Sequence, residues 1–496
     1  MAEIQDLETA EISSAYDGLR DDASWIHEVL NLPVTTPSEE CRHTEEADPT
    51  VVGDTYLSLE CDVVIAGCGV AGLYTALNLP HDMRIIMLTK TSVEECDSML
   101  AQGGICVMHD EDDYESFYED TMRAGHYENR SDSVDIMIRS SRAVIDDLLR
   151  RGVDFERDET GQLVYTREGA HSRARICFHA DITGQEITTT LLDQVRALSN
   201  VRILEQVEVV DIIENDQAVS SKQRNGDVAS DVSSCSCRRC EGVVCIDRRS
   251  VVSEQAPANQ HDDRYSEQHL IVKAPYTILA TGGIGGLYKR STNFASLTGD
   301  ACRIAYRHGI DLEHMDYVQI HPTSLYTKQA GRAFLISESC RGEGAVLLDA
   351  QGERFVDELQ PRDVVAKAIF DQMIRDKTEY VMLSFEALEE EEILSHFANI
   401  YERCLSEGYD LLREPIPVVP AQHYFMGGIH VDTDSQTSLK HLFAVGETSC
   451  NGVHGKNRLA SNSLLESLVF ARRAALHIAQ DWHCPSGADL YTSKGN

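Results

Sequence analysis

One short stretch narrows the possible folds more than any other. The run Cys61-Asp-Val-Val-Ile-Ala66 leads without a break into Gly67-Cys-Gly-Val-Ala-Gly72. A short apolar run that stops at glycine reads as a buried strand. A helical pattern over 73–79 follows, then a second apolar strand, Met83-Arg-Ile-Ile-Met-Leu-Thr89. Strand, glycine turn, helix and strand in this order is the setting in which G-x-G-x-x-G becomes specific for a dinucleotide. Gly67, Gly69 and Gly72 allow the tight turn and let a pyrophosphate approach the backbone, where a helix N-terminus favours negative charge. The bland alternative is a glycine turn with no ligand. An NAD site calls for Asp or Glu at the end of the second strand, to meet the ribose hydroxyls, but Thr89-Lys90 stands there. A different dinucleotide is therefore expected.

A second strand–glycine unit, Tyr276-Thr-Ile-Leu-Ala-Thr-Gly-Gly283, comes much later. Between the two units, 215–268 is rich in Ser, Asp, Asn, Gln and Arg with little periodicity, and reads as an inserted surface loop. It carries Cys235, Cys237, Cys240 and Cys245. No paired C-x2-C knuckles or helix-borne histidines frame them, so unpaired loop thiols are preferred to zinc and no metal is expected. After Asp300 the alternation changes, with amphipathic helices expected at 362–375 and 386–408. The strand-like runs Gly428-Ile-His-Val-Asp432 and His441-Leu-Phe-Ala-Val-Gly446 return to the style of the first unit. The expected architecture is α/β, with a Rossmann-like domain over 61–312 and 428–496 interrupted by a smaller α+β domain at 313–427.

Charge excludes several function classes. The net charge of −38 argues against nucleic acid and against an anionic membrane surface. Much of the excess is local: residues 1–60 hold 15 acidic side chains against Arg20 and Arg42. Such a segment is expected to be a solvated, flexible arm, the reverse of an arginine-rich transit peptide. No apolar run is long enough to span a bilayer. Fifteen cysteines in so long a chain, several in strand-like or helical patterns, fit a reducing, cytoplasmic location.

Chemistry-bearing side chains fall in short, loop-like segments: Glu168, His321, Arg362, His423 and Arg458. Singly, each has an ordinary explanation, such as a turn cap or a surface charge. Together, two arginines and two histidines in so acidic a protein suggest a pocket for a small dianion. Arg458 lies in the cationic loop Gly452-Val-His-Gly-Lys-Asn-Arg-Leu-Ala-Ser-Asn-Ser-Leu-Leu-Glu466, which feeds a helix that Ser461, Asn462 or Ser463 can cap. No Ser-His-Asp elbow, H-E-x-x-H or P-loop is present, which removes hydrolase and kinase readings.

At this point a family resemblance emerges. The glycine motif of 67–72, Ala101-Gln-Gly-Gly104, Ala280-Thr-Gly-Gly283, Thr298-Gly-Asp300, His321-Pro-Thr323, Arg341-Gly-Glu-Gly344 and Arg458-Leu-Ala-Ser-Asn-Ser-Leu464 resemble the succinate dehydrogenase/fumarate reductase flavoprotein superfamily. Within it, Thr166-Arg-Glu-Gly-Ala-His-Ser172, His179-Ala-Asp-Ile-Thr-Gly-Gln-Glu186 and Pro420-Ala-Gln-His-Tyr424 resemble the L-aspartate oxidase family. The likeness runs over about 61–480, broken by the 215–268 insertion.

The resemblance implies a Rossmann-like FAD-binding domain and an inserted capping domain. By the match of motifs, Cys68, Gly69, Val70 and Ala71 line the pyrophosphate and Lys90 is a further FAD contact. Asp97, Ser98, Ala101, Gln102, Gly103 and Gly104 pass the flavin, and Asp300, Glu447, Ser463 and Leu464 complete the site. Asp97 stands where covalent-flavin relatives carry histidine, which implies non-covalent FAD. The implied reaction is oxidation of L-aspartate to iminoaspartate, the entry to quinolinate and NAD biosynthesis, with oxygen or fumarate as electron acceptor. His321, Ser337, His423 and Arg458 match residues that hold the two substrate carboxylates, Arg362 matches the proton donor/acceptor, and Glu168 matches a carboxylate near the substrate ammonium. A guanidinium can serve in that role only if other cations flank it and water is kept away. A quinolinate synthase is an expected partner for the product. Ala301 departs from the glycine usual after Gly-Asp, and the chain is expected to end without the C-terminal helical domain that members usually carry. Two rival readings remain, a soluble fumarate reductase and a non-catalytic flavin-binding scaffold. The first gains nothing from the charge of Glu168, and the second does not call for Arg362, His321, His423 and Arg458 together.

Overall fold

The structure is a computed structural model that describes residues 57–215, 238–249, 268–328 and 331–483. The acidic arm up to residue 56 and most of the polar insertion lie outside the described residues.

The glycine-motif strand sits at the centre of a five-stranded parallel sheet. The order is Leu442–Ala444, Tyr276–Leu279, Val63–Ala66, Ile85–Leu88, Val201–Leu204. Alternate side chains of a strand point to opposite faces, and both faces here are covered. Val63 and Ile65 pack with the helices Val70–Asn78, Thr183–Ala197, Ser131–Arg151 and Asn462–His483. Val64 and Ala66 instead join a core with a second, four-stranded sheet. Each fully buried side chain of this kind contributes about 1.5–3 kcal/mol of hydrophobic stabilisation, and the central strand is apolar from Val63 to Ala66.

Gly67 explains the shape of the turn. Its φ is +115°, and a Cβ there would lie 2.0 Å from the Ala280 carbonyl oxygen, so only glycine lets two neighbouring strand ends close on each other.

The second sheet corrects two expectations. Its order is Leu57–Glu60, Gln268–Lys273, Arg239–Asp247, Val207–Asn215. Residues 57–60 therefore belong to the fold rather than to an arm, pairing in parallel with Gln268–Lys273. Residues 239–247 are a strand inside what reads as a polar loop. Cys240 and Cys245 are buried core thiols on it, not loop thiols. Among the described residues, every cysteine is free and no group of His, Cys, Asp and Glu could hold a metal ion. None of the described helices is long and apolar enough to cross a membrane.

A separate hydrophobic core fills the inserted α+β unit. Its antiparallel sheet runs Val318–Leu325, Ile416–Phe425, Val381–Ser384, Val346–Leu348, backed by the helix Arg362–Asp376. The single helix expected at 386–408 is two, Glu390–His396 and Ala398–Ser406. Phe397, at φ −126° and ψ 33°, leaves the helical region and buries its ring at the break. The second helix starts against the dinucleotide-binding unit. Buried Asp181 accepts from the Ile400 N–H at 2.7 Å and from the Asn399 amide at 2.7 Å.

Candidate functional site

A single continuous cleft runs between the parallel sheet and the inserted unit, and all the catalytic and cofactor residues expected from the sequence except Gly72 line it. Gly72 packs instead on the turn itself: a Cβ there would lie 2.2 Å from the Gly67 carbonyl oxygen. It sets how closely helix and strand pack.

One end of the cleft is built mainly of backbone. Gly67, Cys68, Gly69, Val70 and Ala71 form its wall at the start of the helix Val70–Asn78. Ser98 braces that wall, its hydroxyl accepting from the Val70 N–H at 3.1 Å. Lys90 is held by Asp300 at 2.9 Å, by Thr298 at 3.1 Å and by Glu208 at 3.3 Å. Further along lie Ala101, Gln102, Gly103 and Gly104, facing Ser463 and Leu464 at the start of the long helix Asn462–His483. A Cβ on Gly104 would meet the Cys177 carbonyl oxygen at 2.2 Å, so this turn is pressed flat against its neighbour.

Two carboxyl groups stand in the same wall. Asp97 accepts from the Phe294 N–H at 3.0 Å, and enclosure pushes its pKa up to about 7. Glu447 accepts from the Phe425 N–H at 2.9 Å; burial, then the nearby Asp97, pushes it up to about 8.

These residues fit FAD on structural grounds. The cleft is long, glycine backbone lines it where a helix begins, and buried polar atoms face it without partners. Among them are Asp97 Oδ2, Gln102 Oε1, His321 Nε2 and Arg458 Nε. Buried polar groups are nearly always satisfied, so a dinucleotide accounts for Asp97 and Gln102, and a second ligand at the far end for His321 and Arg458.

The other end is built of charged side chains. His321 and His423 sit on paired strands, Val318–Leu325 and Ile416–Phe425, rather than in loops, with ring centroids 5.0 Å apart. Register shifts around His321 let its Nδ1 turn back onto the Thr323 backbone. His423 Nδ1 meets the Thr292 hydroxyl at 2.7 Å. Burial and neighbouring arginines hold both rings well below the usual histidine range, so both are neutral. Arg362 opens the helix Arg362–Asp376 and is only 6% exposed. Its Nε donates to Glu338 and its Nη1 to the Gln319 side-chain oxygen at 3.0 Å. Arg458, 4% exposed, lies 4.4 Å over the Tyr424 ring and donates to the Ser463 hydroxyl at 2.9 Å. Burial and then Arg362 push its pKa down to about 10. None of the three cap candidates behaves as a simple free cap: Ser463 serves Arg458, Asn462 donates to Thr121, and Ser461 reaches Glu168.

Two buried carboxylates face this cation cluster differently. Glu338 is paired with Arg362 and Arg341 at its oxygen Oε2. Burial opposes its charge, but the two arginines outweigh it and hold Glu338 below the usual carboxylate range. Glu168, 2% exposed, accepts the Ser339 hydroxyl at 2.9 Å and the Ser461 hydroxyl at 2.5 Å. Among the described residues no cation lies within ion-pair distance of it. Burial, then the charge of Glu338, raises its pKa. Ser337 caps the short helix Glu338–Glu343, and its hydroxyl is engaged with Ser339.

Glu338, Gln319, Ser339 and the hydroxyl of Ser461 as a partner of Glu168 are absent from the sequence-based site. A glutamate between two serines and three residues before Arg341 was the available signal for the first of them.

A family profile described as "FAD binding domain" matches residues 62–464. The L-aspartate oxidase of Clostridium perfringens is 47% identical over 84% of this chain and 86% of its own. That of Clostridium acetobutylicum is 44% identical over 85% and 88%. Among solved structures, the quinol fumarate reductase flavoprotein of E. coli superposes with a TM-score of 0.74 at 28% identity, covering 88% of this chain and 72% of the other.

Proposed function

The chain belongs to the L-aspartate oxidase family, and from that premise we propose that it is an FAD-dependent enzyme that oxidises L-aspartate to iminoaspartate. FAD held along the wall of Gly67, Cys68, Gly69, Val70 and Ala71 would supply the two-electron acceptor for the substrate, with oxygen or fumarate as the final acceptor. The product then enters NAD biosynthesis through quinolinate, with a quinolinate synthase as the consuming partner.

The observation that carries this reading is Glu168. It is a buried carboxylate whose two oxygens, among the described residues, are held only by hydroxyls, and it faces a cluster of arginines. Arg458 and the neutral His321 and His423 supply cationic and hydrogen-bonding groups for two carboxylates. Glu168 supplies the complementary charge for an ammonium. A dicarboxylate without an amine makes no use of that charge, which favours aspartate over succinate.

Arg362 is the proton donor/acceptor of this scheme. Its neighbours Arg341 and Arg458 are cations, and Arg362 itself is buried. Glu338 holds Arg362 by its Nε and orients it. Ser337 contributes by keeping Ser339 aimed at Glu168. The separate core of the inserted unit supports a cap at about 313–427, with the FAD-binding part formed by the chain on either side of it.

Anaerobic mixing of the yellow holoenzyme with L-aspartate, and separately with succinate, tests the proposal. Aspartate is expected to bleach the flavin and succinate to leave it oxidised. Retained FAD with no bleaching by aspartate would overturn the assignment.

A further inference from the structure

The geometry points to Ser461 as a positioning residue for substrate choice, holding the Glu168 carboxylate at the Gly103-Gly104 turn so that its charge meets the amino group of the substrate. This rests on the reading of the site as one that oxidises an amino dicarboxylate.

Ser461 has φ +61°, an uncommon conformation for a residue with a side chain, directly before the helix Asn462–His483. Its hydroxyl proton and one of its lone pairs are committed. It accepts from the Gly104 N–H at 3.1 Å and donates to Glu168 Oε2 at 2.5 Å. The Ser461 carbonyl accepts from the Cys106 N–H at 3.1 Å, so the backbone is pinned to the same segment. A Cβ on Gly103 would lie 2.6 Å from Glu168 Oε1 and 3.3 Å from Ser461 Oγ, which puts all three groups in direct contact. The second carboxylate oxygen is held from the inserted unit, by Ser339.

Hydroxyls orient a carboxylate without neutralising it. An arginine in place of either serine would satisfy Glu168 and leave nothing to attract an ammonium. The charged groups facing Glu168 are Glu338, Arg362, Arg341 and Arg458, from both sides of the cleft. The three arginines favour its charged form and Glu338 disfavours it. Losing the Ser461 hydroxyl removes a donor that favours the charged form.

Ser461→Gly deletes the hydroxyl while keeping positive φ at no steric cost; Ser461→Ala deletes it with the backbone cost retained. Both are compared with the wild-type holoenzyme in L-aspartate oxidation and, with a reduced viologen dye, in fumarate reduction. The expected result is a fall in kcat/KM for aspartate of about 10- to 100-fold, the loss typical of a hydrogen bond to a charged group. It should lie mainly in KM, be alike in both variants, and exceed the change with fumarate by at least about tenfold. The acidic limb of the aspartate profile should also move to higher pH, with bound FAD unchanged. Equal losses on aspartate and fumarate would make Ser461 a merely structural residue and overturn the inference, as would unchanged aspartate kinetics. A wild-type protein that reduces fumarate but is not bleached by aspartate would instead remove the reading beneath it.

Discussion

The two ends of the cleft are made in different ways. At the dinucleotide end, residues close in sequence present mainly backbone, from the glycine turn of 67–71 and the run of 101–104, with the Lys90 side chain beside them. At the substrate end, single side chains arrive from segments near 168, 321, 338, 362, 423 and 458, each carrying charge or a ring. The first end needs space and bare N–H groups, which glycine provides. The second needs fixed charges in a buried place, where a charge is offset by another, as Arg362 is by Glu338, or held by hydroxyls, as Glu168 is. The contrast teaches where each end is fragile. One fails by steric intrusion, the other by an unbalanced charge.

Breaking the substrate end should cost most. Arg362→Leu is expected to keep FAD and lose turnover by roughly 10³-fold, the range for a group that moves a proton in the reaction. Steady-state rates with flavin content measured alongside decide it, and near-normal turnover would take Arg362 out of the mechanism. Breaking the dinucleotide end comes next. Gly67→Ala places a methyl against the Ala280 carbonyl at positive φ, which should destabilise the protein by roughly 2–4 kcal/mol and release flavin. Thermal unfolding and the fluorescence of free flavin report this; a variant that folds and keeps FAD would contradict the close approach. A smaller effect separates the charge of Glu168 from its shape. Glu168→Gln should lower kcat/KM for L-aspartate by about 10²-fold while fumarate reduction falls much less.

The smallest effect concerns titration. Asp97 and Glu447 have folded-state pKa values raised from 3.8 to about 7 and from 4.5 to about 8. Between those limits the unfolded chain releases protons that the folded one keeps, so their contribution to stability falls as pH rises through this window and levels off above it. In flavin-stripped protein, Glu447→Gln should flatten the decline of Tm between about pH 4 and pH 8 by a few degrees. The Glu338 charge, held by Arg362 and Arg341, offers no such handle near neutrality.

The same contrast governs what could be read from the sequence. The dinucleotide end is local, so spacing and strand context suffice to place Gly67, Gly69 and the missing ribose acid. The substrate end is not local. Glu168 and Ser461 are 293 positions apart, and Glu168 and Ser339 are 171 apart. Nothing in the neighbourhood of any of them announces the pairing, and only a family resemblance tied Glu168, Arg362 and the two histidines to one pocket. Strand 239–247 went unread because polar sequence surrounds it, although its inward residues Cys240, Val243 and Cys245 are fully buried. The break at Phe397 was invisible for another reason. Hydrophobic periodicity runs on through a residue whose backbone alone departs from the helix.

That break has a mechanical consequence. The helix after Phe397 begins on Asp181, whose two oxygens take the Ile400 N–H and the Asn399 amide across the boundary between the two units. Lifting this helix away would strip a buried carboxylate of both donors at once, with no stopping point at which half of them survive. Such a fastening behaves as a snap rather than a spring.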